Sequence, residues 1–120
     1  MNRNISKSMK EYKNVKPIIR ELDYMHGDTL VTKIYVDFKE EKIRIENYSD
    51  DLIDRAFGCI EEPTWEDFEM FLEERCFPRT RDKMKSILRD IGVDTYDPWQ
   101  IIQVTEGRMA EDRHWIQIVK

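Results

Sequence analysis

Apolar and polar residues alternate along residues 30–47, and this alternation predicts two strands. A period of two residues is typical of strands, because successive side chains point to opposite faces of a sheet. The apolar positions of the two runs are Ile34, Val36, Phe38, Ile43 and Ile45. Residues 39–41 between the runs are polar and fit a short turn, so the segment is expected to form a β-hairpin.

A hairpin with one apolar face needs further cover, because two strands alone are only marginally stable in water. Another apolar segment lies at residues 115–119 and contains Trp115, Ile116, Ile118 and Val119. We expect this segment to add a third strand beside the hairpin, and we expect helices to cover the apolar face of the sheet.

Helical spacing of apolar residues predicts helices in five further segments. Residues 14–25 form the first helix, with Asn14 as its cap. Residues 48–58 form the second, with Ser49 as its cap and Gly58 at its end. Both helices would be short and would place their apolar residues toward the interior.

Three more helices are predicted in the C-terminal half of the chain. Thr64 caps the first, and Asp67 three positions later completes a variant of the capping box. Thr80 caps the second, which ends at Gly92. Asp97 caps the third, which begins with the proline that follows it.

The length and composition of the chain fit one globular domain. It has 120 residues, of which 40% are hydrophobic and 38% are charged, and a chain of this length can bury a sizeable core. We therefore predict a single α+β domain over residues 1–120, in which a β-hairpin or small antiparallel sheet is covered by four to five short helices. Residues 1–13 would form a flexible basic arm.

The sequence gives no indication of a membrane or secreted protein. No apolar run approaches the ~20 residues that a membrane-spanning helix needs, and the N-terminal MNRNISKSMKEYK lacks the apolar core of a secretion signal. The two cysteines, Cys59 and Cys76, fit the free thiols of an intracellular protein. We expect a cytoplasmic protein without membrane contact.

The net charge of −5 is unevenly distributed along the chain. Residues 40–74 contain thirteen acidic and three basic residues, a local charge of −10. The flanking residues 1–20 and 75–89 each have a local charge of +5. An acidic belt of this kind repels nucleic acid and attracts basic protein surfaces.

The acidic residues around helix 64–76 are the first candidate binding surface. They are Glu61, Glu62, Glu66, Asp67, Glu69, Glu73 and Glu74. Carboxylates one helical turn apart, ~5.4 Å, approximate the ~7 Å spacing of phosphates along a DNA strand. We therefore interpret this surface as a DNA mimic that occupies the nucleic-acid-binding surface of a partner protein.

A basic cluster follows directly and is the second candidate surface, for a partner or a phosphate group. Its residues are Arg75, Arg79, Arg81, Lys83 and Lys85. Thr80 and the free N–H groups of the helix that it caps would add an anion site. A simpler alternative is that helices 64–76 and 80–91 pair antiparallel and exchange surface ion pairs, each contributing less than ~1 kcal/mol.

Catalytic and metal-binding functions have weaker support. Either cysteine would need a histidine as its base, and the chain has only His26 and His114. Asp50, Asp51 and Asp54 with either histidine would offer metal ligands, but their spacing matches no known metal-binding motif. We therefore predict no catalytic residues, no metal and no cofactor, and we expect that the protein is not an enzyme.

Residues 107–118, GRMAEDRHWIQI, combine a densely charged turn with Trp115. The simpler interpretation is a terminal strand or helix that docks Trp115 against the core. The alternative is an exposed polar loop beside a tryptophan anchor, which suits a partner interface.

The stretches RCFPRTRDKMK, YDPWQII and GRMAEDRHWIQI resemble a group of small uncharacterised Firmicutes proteins. These proteins travel with mobile elements, sometimes beside HipA-like kinase genes. The resemblance covers residues 34–118 and brings no catalytic residues with it. It implies a regulatory or antagonist role toward a partner protein rather than a metabolic activity. In size and charge the chain is also similar to anti-CRISPR and anti-restriction inhibitors.

We draw one main functional hypothesis and two alternatives from these patterns. The main hypothesis is a non-enzymatic acidic protein that inhibits or regulates a nucleic-acid-binding protein or nuclease, as anti-CRISPR and anti-restriction inhibitors do. The first alternative is an antitoxin-like regulatory partner of a HipA-like kinase, bound through the basic cluster and residues 107–114. The second is a DNA-binding regulator that uses the basic segments. The oligomeric state stays open.

Overall fold

The computed structural model describes residues 19–119, which form a four-stranded antiparallel sheet and three helices. The strands have the spatial order β3-β2-β1-β4. The elements are, in chain order, β1 (Ile19–His26), β2 (Thr29–Asp37), β3 (Lys42–Asn47), α1 (Trp65–Glu74), α2 (Met84–Ile91), α3 (Pro98–Thr105) and β4 (His114–Val119). The α+β class is confirmed, whereas the described residues contain three helices and not four to five.

The predicted hairpin and the predicted C-terminal strand are both present. In the hairpin of β2 and β3, Ile34 lies opposite Ile45 and Val36 lies opposite Ile43, so the apolar residues share one face. β4 does not lie directly beside this hairpin as expected, but pairs antiparallel with β1 at the other edge of the sheet. Its residue Ile116 is fully buried in the core, so the apolar segment at residues 115–119 does form a strand.

The prediction of a helix over residues 14–25 is wrong where the structure describes this segment. Residues 19–26 form β1, which pairs with β2 on one side and with β4 on the other. Leu22 and Tyr24 are buried on the same face, and the backbone bonds of two neighbouring strands outweigh the helical spacing of the apolar residues. Residues 14–18, with the proposed cap Asn14, lie outside the described range.

The prediction of a helix over residues 48–58 is also wrong, because this segment forms a series of turns. The hydroxyl of Ser49 accepts a hydrogen bond from the backbone N–H of Asp51, and the Asp51 carboxylate accepts one from the N–H of Ile53. Side chains of this type compete with a helix for backbone N–H groups. Thr32 anchors the segment, since its buried hydroxyl accepts a hydrogen bond from the N–H of Ala56 at 3.3 Å.

The three helices begin and end largely at the predicted signals. Thr64 and Asp67 form the reciprocal capping box of α1, and Asp97 caps α3 by accepting a hydrogen bond from the N–H of Trp99. α2 ends at Gly92 as predicted, but it begins at Met84 instead of following a Thr80 cap. Its start lacks a side-chain cap, because Lys83 adopts a left-handed conformation there.

The helices cover one face of the sheet and form a single apolar core with it. Phe68 of α1 and Ile101 of α3 are fully buried, as are Leu22 and Ile34 of the sheet. The main helical neighbour of α1 is α3, not α2. The antiparallel pairing predicted for helices 64–76 and 80–91 is therefore not the packing that the structure adopts.

Arg75, directly after α1, joins the helices to the start of β4. Its side chain is 8% exposed. Its Nη1 and Nη2 atoms donate to the two carboxylate oxygens of Asp112 at 2.8 and 3.0 Å. Its Nε donates to the carbonyl of Gly107 at 3.0 Å, and Nη2 also donates to the carbonyl of His114 at 2.8 Å. One side chain thus fixes both ends of the 107–114 loop.

We expect Arg75→Met to destabilise the protein strongly. Removing one partner of a buried ion pair costs about 3–5 kcal/mol, and the value here should lie at the lower end because the Asp112 side chain is 36% exposed. Urea unfolding measures the change. Arg89→Met, at an exposed position of α2, is the matched control and is expected to shift stability by less than about 0.5 kcal/mol. Equal midpoints for the two variants would contradict this role.

Acid should remove the contribution of Asp112 within a defined pH window. Hydrogen bonds from Arg75 lower the pKa of Asp112 from 3.8 to about 2, against the opposing effect of burial. A carboxyl group with a lowered pKa stabilises the fold fully above its unfolded pKa, and this stabilisation disappears as the pH falls from about 4 to 2. In urea unfolding, the stability difference between wild type and Asp112→Asn should shrink over this range, and Asp90→Asn at an exposed position is the matched control.

Candidate functional site

The acidic residues of α1 form one exposed face of this helix. Glu66, Glu69 and Glu73 are spaced three and four residues apart, so they lie on the same side. Met70 lies among them and is 62% exposed, although its side chain is apolar. The opposite side of α1 is buried in the core through Phe68 and its neighbours. Exposed methionines are enriched at protein contact surfaces, where charged residues belong to the surrounding rim.

The other predicted acidic residues occupy different positions. Asp67 belongs to the capping box, in which its carboxylate accepts a hydrogen bond from the N–H of Thr64 at 2.9 Å. Glu61 and Glu62 precede the helix and line a depression beside β3. Glu74 is exposed at the end of α1. The seven carboxylates therefore do not form one continuous row.

A groove with aromatic walls lies beside the acidic face of α1 and has a volume of about 450 Å³. Its walls include the rings of Phe38, Trp65 and Trp99, with centroids 5.7 Å apart for Phe38 and Trp65 and 4.9 Å apart for Phe38 and Trp99. All three rings are half-buried. We call this feature the aromatic groove.

Carboxylates line the same aromatic groove. Glu69 and Glu73 come from α1, and Asp97 comes from the start of α3. Arg79 also lines it, with its guanidinium 3.3 Å from the Glu73 carboxylate and 4.4 Å from the centre of the Tyr96 ring. Ring faces and carboxylates together are the groups that bind a cationic side chain.

The predicted basic cluster is divided between the interior and the surface. Arg79, Arg81, Lys83 and Lys85 are exposed, whereas Arg75 is buried and bonded within the molecule. Among residues 19–119, Glu73–Arg79 is the ion pair that links the acidic face of α1 to this cluster. Ion pairs between the acidic face of α1 and the basic cluster therefore neutralise few of the charged side chains on either of these two surfaces.

The charged turn before β4 is held by internal contacts. Arg108 pairs with Glu106 at 3.0 Å and lies over the ring of Trp115 at 4.3 Å. The indole Nε1 of Trp115 donates to the carbonyl of Gly27 at 2.8 Å. With Asp112 bound to Arg75, these contacts favour the interpretation of the segment as a strand docked on the sheet.

The two histidines meet at one end of the sheet, on either side of Asp54. His26 ends β1 and lies opposite His114, the first residue of β4. One carboxylate oxygen of Asp54 lies 2.9 Å from Nδ1 of His26 and 2.6 Å from Nε2 of His114. Since a carboxylate only accepts hydrogen bonds, these two ring nitrogens carry the protons. We call this group the His–Asp–His cluster.

The environment of the His–Asp–His cluster is partly shielded from water. The side chains of His114 and Asp54 are 14% and 21% exposed, and that of His26 is 45% exposed. Burial raises the pKa of Asp54, but the hydrogen bonds from both histidines more than offset burial, so the pKa lies below its ordinary value. Asp54 is therefore an anion that holds two imidazole rings.

The aromatic groove and the His–Asp–His cluster each combine residues that the sequence analysis had not grouped together. The structure adds Phe38 and Trp99 to the acidic helix, and it selects Asp54 rather than Asp50 or Asp51 as the partner of both histidines. The cross-strand position of the histidines depends on β1 being a strand. The predicted helix over residues 14–25 therefore did not place the two histidines together. The alternation of Leu22, Tyr24 and His26 is the sequence signal that indicates a strand here.

The two cysteines have contrasting surroundings. Cys59 is exposed and Cys76 is buried. Burial raises the pKa of Cys76 to about 12, with the neighbouring Glu73 carboxylate acting in the same direction. Lysine or arginine side chains nearby therefore do not activate this thiol, in contrast to what its sequence neighbours Arg75 and Arg79 suggest.

Thiol labelling should distinguish the two cysteines. With an aromatic disulfide reagent at pH 8, we expect one thiol of the native protein to react rapidly and the second to react only on unfolding, because Cys76 is inaccessible and protonated. Cys59→Ser should remove the rapid phase. Two rapid phases of equal amplitude would show that Cys76 is accessible.

Comparison with known proteins identified no relative, so a functional proposal must be based on the features described above. Neither the protein-family models, nor the curated proteins, nor the solved structures contain a match to this chain. Within residues 19–119, no helix is both long enough and apolar enough to cross a bilayer.

Proposed function

We propose that this protein binds a partner protein through the aromatic groove and the acidic face of α1, and that it thereby inhibits or regulates the partner. The observation that carries the proposal is the arrangement of three aromatic rings and three carboxylates around one groove. A basic side chain from the partner satisfies both groups, since it stacks on the rings and pairs with the carboxylates.

The acidic face extends the contact beyond the groove. Glu66, Glu69 and Glu73 supply charge, and the exposed Met70 supplies apolar area near them. Interfaces typically combine an apolar anchor with a polar rim, and charges of one sign accelerate association with an oppositely charged partner. The partner surface should therefore be basic and should offer at least one arginine or lysine.

Basic surfaces of this kind are characteristic of proteins that handle nucleic acid. We infer that the partner is a nucleic-acid-binding protein or nuclease and that the acidic face competes with phosphates for its surface. This is the mode of action of an anti-CRISPR or anti-restriction inhibitor, and it requires no catalytic residue or cofactor. The resemblance to mobile-element proteins points in the same direction.

Charge reversal tests the proposed surface. The variant Glu66→Lys/Glu69→Lys/Glu73→Lys should weaken binding of an arginine-rich peptide by more than tenfold and remove its salt dependence, because it replaces the carboxylates that attract the cations. The matched control is Glu40→Lys/Asp90→Lys/Asp94→Lys, which changes the net charge equally at exposed positions elsewhere. Fluorescence anisotropy of a labelled peptide at two salt concentrations measures both effects.

A groove variant separates specific binding from general attraction. Trp99→Leu keeps every charge but removes one ring of the groove, and it should weaken peptide binding by about tenfold, as loss of an aromatic anchor does at interfaces. Affinity that depends on net charge alone, with the two triple variants equally weak and Trp99→Leu unchanged, would refute the proposal.

Exposure of Arg81, Lys83 and Lys85 supports a second candidate function, direct binding of DNA or of a kinase partner through the basic cluster. The variant Arg81→Glu/Lys83→Glu/Lys85→Glu should then abolish capture of duplex DNA or of a HipA-like kinase.

Affinity purification with and without nuclease treatment decides between the candidates. A protein that stays bound after nuclease treatment and is lost in the α1 variant supports the acidic surface.

A further inference from the structure

The His–Asp–His cluster brings together three segments that are far apart in the chain. His26 and His114 face each other across β1 and β4, and Asp54 reaches them from the turns between β3 and α1. The three donor atoms all lie within 4.8 Å of one another. Neither the aromatic groove nor the acidic face of α1 includes any of these residues.

We propose that His26, Asp54 and His114 form a binding site for a divalent transition-metal ion of the zinc class. Two imidazole nitrogens and one carboxylate oxygen are the donor set that zinc and its neighbours in the first transition row prefer. Calcium and magnesium favour sites built of oxygen atoms, so the two imidazoles select against them.

The donors can accept an ion after side-chain movements of about 1–1.5 Å. Tetrahedral coordination with bond lengths of about 2.0–2.1 Å places neighbouring donors about 3.3 Å apart. The Asp54 oxygen lies 2.9 and 2.6 Å from the two ring nitrogens, so these two pairs must separate by less than 1 Å. The two ring nitrogens lie within 4.8 Å of each other, so they must approach by up to about 1.5 Å, which rotation of the half-exposed His26 side chain allows. The ion would take the place of the two N–H···O contacts, and each neutral imidazole would then carry its proton on its other ring nitrogen, Nε2 of His26 and Nδ1 of His114.

The surroundings hold the backbone of the site in place. The ring of His114 stacks on Tyr24 at 4.9 Å, and its carbonyl accepts a hydrogen bond from buried Arg75. The N–H of Gly27, next to His26, donates to the carbonyl of Arg113 at 3.0 Å. The N–H of Asp54 donates to the carbonyl of Asp51 at 3.0 Å. Such supporting contacts orient the ligands of protein metal sites.

A bound ion would have two consequences for the molecule. It would tie the turns of residues 48–60 to both β1 and β4, since each ligand comes from a different element. Three protein ligands would also leave at least one coordination position for water or for a group from another molecule. The 45% exposure of His26 provides access to this position.

Zinc binding by the full chain without a histidine tag tests the proposal. Isothermal titration should give one zinc ion per chain, and cobalt should give the visible absorption of a tetrahedral or five-coordinate site. Asp54→Asn and His26→Gln should each weaken zinc binding by more than about tenfold. Asp50→Asn, an exposed carboxylate four residues from Asp54, is the matched control and should bind as wild type does.

Two further measurements show whether zinc binds to the cluster itself. The first excludes the exposed thiol of Cys59 as the ligand, and the second uses the folded wild-type protein. Cys59→Ser should retain the zinc affinity, since this thiol is not part of the cluster. The chain has two histidines, so imidazole nitrogen NMR of the wild type should show both rings shifting together as zinc is added. Absence of binding at millimolar zinc, or zinc affinity that Asp54→Asn leaves unchanged, would overturn the proposal.

Discussion

The buried guanidinium of Arg75 is the contact on which the arrangement of the helices and of β4 depends. Its donors reach Gly107, Asp112 and His114, so the end of α1, the loop after α3 and the start of β4 are joined at one point. A buried charge is unfavourable unless it is fully paired. The bidentate pair with Asp112 and the two carbonyls meet this requirement, which fixes the geometry more narrowly than apolar packing alone would.

α1 connects the two groups of residues to which we assign functions. Its first turn supplies Trp65 to the aromatic groove, and Arg75 after its last turn supports the carbonyl of His114. The helix therefore has three roles: it buries Phe68 in the core, exposes a row of carboxylates and positions the strand that bears a histidine. Changes in its interior would affect both groups together, whereas changes at its exposed carboxylates affect only the groove side.

Local signals in the sequence were sufficient for elements whose boundaries are set by neighbouring residues. The alternation of β2 and β3 lies on either side of a short turn, and the capping box of Thr64 and Asp67 and the Asp97 cap rely on contacts within three positions. The segment that became β1 satisfies both periods, because its apolar residues fit a helix while Leu22 and Tyr24 also alternate. Pairing with β2 through the two-residue turn Gly27-Asp28 and pairing with the distant β4 decided its structure, and the pairing with β4 is not visible locally.

The same limit applied to the candidate sites. The acidic character of α1 could be read directly from its glutamates, but the aromatic groove needed Phe38 and Trp99 from separate parts of the chain. Residues 48–58 were expected to be helical because of their apolar spacing between the predicted cap Ser49 and the predicted end Gly58. The hydrogen bonds of Ser49 and Asp51 with nearby N–H groups favoured turns instead, and these turns direct Asp54 to the histidines.

The strand order places β1 in the middle of the sheet between its sequence neighbour β2 and the distant β4. The hydrogen bond of Trp115 with Gly27 spans 88 residues, so the sheet closes through a long loop whose entropy opposes early formation. During synthesis, β1 therefore stays an open edge until residues 114–119 leave the ribosome. Completion of this sheet, and with it the meeting of the two histidines, is therefore a late event in the folding of residues 19–119.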